Sequence, residues 1–250
     1  MTSPFDIPVP DAVERVPVVL AHRGASRAAP ENTLAAFRLA TALGADGVEL
    51  DARRCADGVV VVHHDASLGG DAAIVDLTFE QLRAVRPDVP TLDEALDTCP
   101  GIVNVEVKNF PNEPDYDPTE EVAAAVATAV ARRNMHDRVI ISSFTLDPLD
   151  RVRVLDERVS TAWLTLAGFA VADAVALARS RGYDALHPER GAVLAEAKRA
   201  VEAAHDAGLR INVWTVDDPG EVGLLASAGV DGLITNVPDV VRRALPAPRA

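Results

Sequence analysis

Val18-Val19-Leu20-Ala21-His22-Arg23-Gly24 and, one helical stretch later, Gly47-Val48-Glu49-Leu50-Asp51-Ala52 decide how this chain folds. Each opens with small and branched apolar residues, as a buried strand does, and ends in polar side chains. Between them, residues 32–43 carry helical spacing that stops at Gly44, where a left-handed cap needs no Cβ. Strand, helix and strand in this order make a parallel unit.

The same rhythm runs outward to the end of the chain. Residues 59–63 form a further short strand, split from the second by the turn signal Asp57-Gly58, and read as its extension. Residues 78–85 and 91–98 have the spacing of short helices. Strands follow at 102–107, 139–142, 159–164, 183–186, 209–215 and 230–235. Helices alternate with them at 118–133, 147–156, 171–181, 192–207, 219–228 and 238–245. About eight strand–helix units in 250 residues predict an α/β fold, a closed (β/α)₈ TIM barrel in a single domain. The barrel is expected over 17–245, with an N-terminal extension at 1–16 and a C-terminal tail at 246–250.

Composition narrows the function classes. A formal net charge of −14 argues against a nucleic-acid or anionic-membrane surface, because both need a basic face. An anionic substrate stays compatible with that charge only if local cations supply the field. No run reaches the length of a membrane span, and the start of the chain lacks a basic and apolar leader pattern. The expectation is a cytoplasmic enzyme with a small-molecule substrate and no integral membrane contact. Cys55 and Cys99 are too few for a disulfide framework and read as two reduced thiols.

Active groups of a barrel sit at the C-terminal ends of its strands. Those ends carry His22 and Arg23, Glu49 and Asp51, His63 to Asp65, Glu106 and Lys108, Ser142 and Ser143, Trp163, His187, Trp214 and Asn236. Glu49 and Asp51 are two apart on one strand and point to one side; Glu106 and Lys108 repeat that geometry. Three converging carboxylates repel unless a cation lies among them, and hard oxygen ligands suit Mg²⁺ or Ca²⁺. A histidine at a strand end serves as a structural hydrogen-bonder or as a proton carrier. His22 and His64 together favour the second, on opposite sides of a bound phosphate. Arg23 and Lys108 are candidate phosphate clamps, since arginine offers a fork and lysine a point charge. Pro30-Glu31-Asn32-Thr33 opens the first helix; Asn32 fits an N-cap, and Glu31 is placed to reach back toward the site. Trp214 either walls the substrate pocket or fills the barrel.

These motifs, with Ala36-Phe37, Gly44-Ala45-Asp46, Asn104-Val105-Glu106-Val107-Lys108, Val213-Trp214-Thr215 and Gly232-Leu233-Ile234-Thr235-Asn236 followed by Pro238, resemble the glycerophosphodiester phosphodiesterases over nearly the whole chain. The resemblance implies a TIM barrel and hydrolysis of glycerophosphodiesters to glycerol 3-phosphate and an alcohol. It implies His22 and His64 as an acid–base pair, and Glu49, Asp51 and Glu106 as ligands of one divalent cation. It also implies Arg23 and Lys108 at the phosphate. The chain departs from the family after His64-Asp65. Members often continue with a leucine, an arginine and two threonines, whereas this chain reads Ala66-Ser67-Leu68-Gly69-Gly70-Asp71. A more open pocket or a different head-group preference is the expected consequence, and residues 71–90 are too compact for a sizeable inserted subdomain. A sphingomyelinase-D-like lyase and a non-catalytic phosphodiester-binding barrel are the alternatives. A zinc amidohydrolase barrel is weaker, since its first strand usually ends in His-x-His.

Overall fold

In this computed structural model, residues 16–69 and 72–246 are described. The termini assigned to an extension and a tail lie almost wholly outside them, as do Gly70 and Asp71 of the loop after His64. Eight parallel strands close a barrel: β1 (Val18–His22), β2 (Gly47–Arg54), β4 (Ile102–Val107), β5 (Val139–Ser143), β6 (Ser160–Thr165), β7 (Ala185–Pro188), β8 (Arg210–Val213) and β9 (Gly232–Thr235). β1 pairs with both β9 and β2, so no barrel edge remains open. Helices α1 (Leu34–Ala42), α3 (Leu92–Thr98), α4 (Glu121–Arg133), α5 (Leu146–Leu155), α6 (Val171–Arg181), α8 (Ala197–Asp206), α9 (Pro219–Ala228) and α10 (Pro238–Ala244) surround it.

Register places the chemistry. His22 pairs with Glu49, Glu49 with Asn104, and Asp51 with Glu106. Residues paired across parallel strands face the same way, so Glu49, Asp51 and Glu106 all enter the barrel. Below them Ile140, Ala162 and Ala185 fill the floor, with Ile102 packed against them. Alternate strand positions, such as Val48, Leu50, Val103 and Val105, join the large apolar layer between strands and helices.

The strand expected at 59–63 is shorter and runs the other way. β3 (Val60–Val62) pairs antiparallel with the far end of β2, Ala52 opposite Val62. β2 therefore overshoots the barrel and the chain doubles back, returning His63 and His64 to the rim. The segment after it, with α2 (Phe79–Val85), covers the outer side of this hairpin. Cys55, Val61, Ile74, Leu82 and Val89 form a small apolar core there, separate from the main one. Thr78 and Thr91 start α2 and α3 with reciprocal capping boxes, each worth about 1 kcal/mol.

Two helices differ from expectation. The single helix read over 192–207 is broken into α7 (Arg190–Leu194) and α8, with Glu196 at the break out of helical conformation, at φ -140° and ψ 46°. The Glu189 carboxylate accepts from the Gly191 N–H and starts α7 early. The helix read from Pro118 begins only at Glu121. The Asp117 carboxylate takes the N–H groups of Thr119 and Glu121 first, holding a turn in place of helix.

Candidate active site

The mouth of the barrel gathers Glu49, Asp51 and Glu106, with one oxygen from each lying within 4.8 Å of the others. All three are buried. Burial pushes Glu49 and Glu106 above the usual carboxylate range, the neighbouring Asp51 charge adding to both. Asp51 goes the other way: burial alone would raise it, but Lys108 and Arg23 hold it below the ordinary value. The Lys108 ammonium lies 3.0 Å from Asp51 Oδ1 and 2.5 Å from Glu106 Oε1. Despite burial, those two acids hold Lys108 above its ordinary value. Glu49 Oε1 is buried with no hydrogen-bond partner. A buried carboxylate oxygen left without a donor among acids fits the ligand set of a divalent cation.

Arg23 follows β1 in the left-handed region, φ 56°. Its N–H donates to Glu49 Oε2 at 2.9 Å, and its guanidinium spans Asp51 and the half-exposed Glu31, which accepts at 3.0 and 3.1 Å. The next residue must be glycine: a Cβ on Gly24 would meet Ala36 Cβ at 2.7 Å. This close approach seats the turn against α1.

Asn32 is not the N-cap. Thr33 caps α1 through Ala36 N–H, and Asn32 sits one residue earlier at φ 57°. Both residue types cap helices well, so the sequence alone ranked them wrongly. The Asn32 side chain instead donates to Asp51 Oδ2 at 2.7 Å.

The rings of the two histidines are oriented by different partners. The Asn236 amide N–H donates to Asp217 Oδ2, so its oxygen must accept; it takes Nδ1–H of His22 at 2.8 Å and the Ser26 hydroxyl at 3.0 Å. This assigns the His22 proton to Nδ1 and turns the Nε2 lone pair inward, 3.9 Å from Glu49 Oε2. Burial, then Arg23, pushes His22 below the usual histidine value. His64 donates from Nδ1 to Asp65 Oδ1 at 2.7 Å. Burial lowers it too, opposed by Asp51 and by the Asp65 hydrogen bond.

One wall is aromatic. Trp214 packs edge-on to Phe144 at 5.4 Å between centroids, and Phe144 packs on Phe110 at 5.8 Å. Lys108 Nζ lies 5.9 Å from the Phe144 ring. Trp163, in contrast, faces the helix layer, and His187 is sealed in the barrel. There His187 Nε2 accepts from Asn212, and burial pushes it down to about 3, so it is neutral. Cys55 and Cys99 are buried free thiols.

Three residues of this arrangement escaped the sequence reading. Asn236 stood at a strand end without a role, Phe144 was overlooked in a loop, and Arg53 follows Glu49 and Asp51 at the next alternate position of β2. Alternation was the available signal for Arg53.

Residues 22–240 match the glycerophosphoryl diester phosphodiesterase family. A glycerophosphodiester phosphodiesterase of Caldanaerobacter subterraneus subsp. tengcongensis is 33% identical over 246 residues, covering 90% of this chain and 96% of that protein. The crystal structure of a glycerophosphodiester phosphodiesterase from Thermotoga maritima is 31% identical, with a TM-score of 0.78 over 92% of this chain and 98% of that one. An Oleispira antarctica phosphodiesterase, solved with sn-glycerol-3-phosphate, shares the fold at 24% identity and a TM-score of 0.77, over 92% of this chain and 96% of the other. On this agreement of sequence, barrel and full-length relatives, the chain belongs to the glycerophosphoryl diester phosphodiesterase family, enzymes that hydrolyse phosphodiesters.

Proposed function

We propose that this chain hydrolyses glycerophosphodiesters to glycerol 3-phosphate and an alcohol with the help of one divalent cation, through His22 and His64. The observation that carries the reading is the buried group Glu49, Asp51 and Glu106, flanked by two cationic side chains, with His22 against Glu49 and His64 within the field of Asp51. The glycerol 3-phosphate bound by the Oleispira relative supports the substrate class.

Glu49, Asp51 and Glu106 are the residues that would hold the cation, and their hard oxygens suit Mg²⁺ or Ca²⁺. When bound, such an ion offsets charge on the phosphoryl oxygens. Arg23 and Lys108 bind and orient the same anionic group. His22 serves as base: its Nδ1–H is committed to a neutral amide, its Nε2 lone pair faces the site, and it takes the proton of the attacking hydroxyl. His64 serves as acid, because its partner is a carboxylate that supports the imidazolium. It returns a proton to the leaving alkoxide as the phosphorus–oxygen bond breaks. Attack by water completes the hydrolysis in this one step; attack by the glycerol 2-hydroxyl forms a cyclic phosphate, which water then opens as His64 takes the water's proton and His22 returns its own to the 2-oxygen. Trp214 and Phe144 wall the organic part of the substrate. Glu31 and Asn32 hold Arg23 and Asp51 in place. The cytoplasmic setting belongs to this proposal; among the described residues, no helix is long and apolar enough to cross a membrane.

The test is release of glycerol 3-phosphate from glycerophosphocholine and glycerophosphoethanolamine. Release should stop with EDTA and return with Mg²⁺ or Ca²⁺. Turnover indifferent to the chelator would remove the cation from the mechanism. No release under any condition would overturn the substrate class. Phosphorus NMR separates hydrolysis from a lyase, which leaves a cyclic phosphate.

A further inference from the structure

Arg53 is among the largest fully buried side chains, with 1% of it exposed. It lies on the strand that carries Glu49 and Asp51, one alternation further out. Its Nη1 donates to Asp115 Oδ2 at 2.6 Å and to Glu113 Oε2 at 2.9 Å, both in the loop between β4 and α4. Those two acids offset the charge of the buried guanidinium. Nε is used for something else: it donates at 2.8 Å to the main-chain oxygen of His64.

That contact bears on the histidine more than the ring's own does. The ring is braced by Asp65, whose side chain is 73% exposed. An exposed pair of this kind holds a side chain weakly. A carbonyl fixed by a buried planar donor sets the peptide plane beside the residue, and with it the direction in which the imidazole leaves the main chain. The guanidinium spans both jobs because its donors are rigidly spaced; a lysine ammonium has the charge without the fork. Nothing comparable is needed for His22, which lies within a paired strand.

We propose that Arg53 is a positioning residue for His64, clamping its main chain to residues 113–115 and so making the β4–α4 loop part of the support of the catalytic acid. The inference rests on the proposed role of His64.

Arg53→Lys and Asp115→Asn test it, with glycerophosphocholine turnover, Mg²⁺ binding by calorimetry and the His64 ring signals in NMR as readouts. Arg53→Lys should lower kcat by about 10-fold, a single lost charged-donor contact, with KM within about two-fold. Mg²⁺ affinity should hold, and His64 ring signals should shift or broaden while those of His22 stay. Asp115→Asn should act in the same direction and more weakly. A folded Arg53→Lys protein with native kcat and an unmoved His64 signal would overturn the proposal. So would Mg²⁺ affinity falling in step with kcat, which would make Arg53 a support of the acids instead. If Arg53→Lys does not fold, Asp115→Asn decides alone by the same readouts. Should His64→Ala keep its turnover, the role of His64 itself fails, and that outcome is separate from any result at Arg53.

Discussion

His22 and His64 both feel the charge of Asp51, yet the protein holds them by opposite ends. His22 belongs to a barrel strand, and its ring is fixed from behind by Asn236, itself tied to Asp217 and Ser26. His64 follows a short returning strand. Its ring leans on an exposed neighbour, and its main chain is fixed from within by a buried arginine. The difference follows from topology. Barrel register delivers a side chain directly, whereas a hairpin that overshoots and returns must be anchored by contacts distant in sequence.

Breaking the comparison outright means removing each imidazole. His22→Ala and His64→Ala should each cost at least about 10²-fold in kcat, the range of general acid–base groups, with circular dichroism melts preserved. Equal losses would say that both proton transfers matter; a near-native rate in either would remove that histidine.

Weaker changes sharpen the contrast. Asn236→Ala frees the His22 ring from its partner, and kcat should fall about 10-fold with KM little changed, as for one lost partner of a partly buried polar group. Asp65→Ala should cost less than about 5-fold, because its pairing is exposed. The reverse order, with Asp65 the more costly, would mean that the ring contact and not the main chain places His64.

The smallest effects are in pH profiles. The base must be neutral, and His22 is pushed down by burial and Arg23, so the acidic limb of kcat/KM should lie below the ordinary histidine value of 6.5. The Asp65 hydrogen bond raises His64, so Asp65→Asn should move the basic limb to lower pH. A shift of the acidic limb instead would exchange the two roles.

Much of this was legible in order and alternation. Apolar runs ending in polar residues marked the strands, and a spacing of two put Glu49, Asp51, Glu106 and Lys108 inside. What was not legible depends on distance or on near-equal local choices. Asn32 and Thr33 are both good caps, and the tie is broken by Asp51, which lies 19 residues away and takes the Asn32 amide. The Arg53 clamp joins partners 60 and 62 residues apart, beyond the reach of local pattern. The break at Glu196 lies in a run of good helix formers, so local propensity does not mark it.

The small apolar core of Cys55, Val61, Ile74, Leu82 and Val89 has a consequence for how such enzymes diversify. It lets the hairpin and its covering segment settle on their own terms, apart from the barrel's packing. Side-chain changes confined to this small core therefore act on the hairpin that leads to His64 and leave the packing behind the acids as it is. The surroundings of His64 are thus free to vary while the carboxylate cluster stays constant.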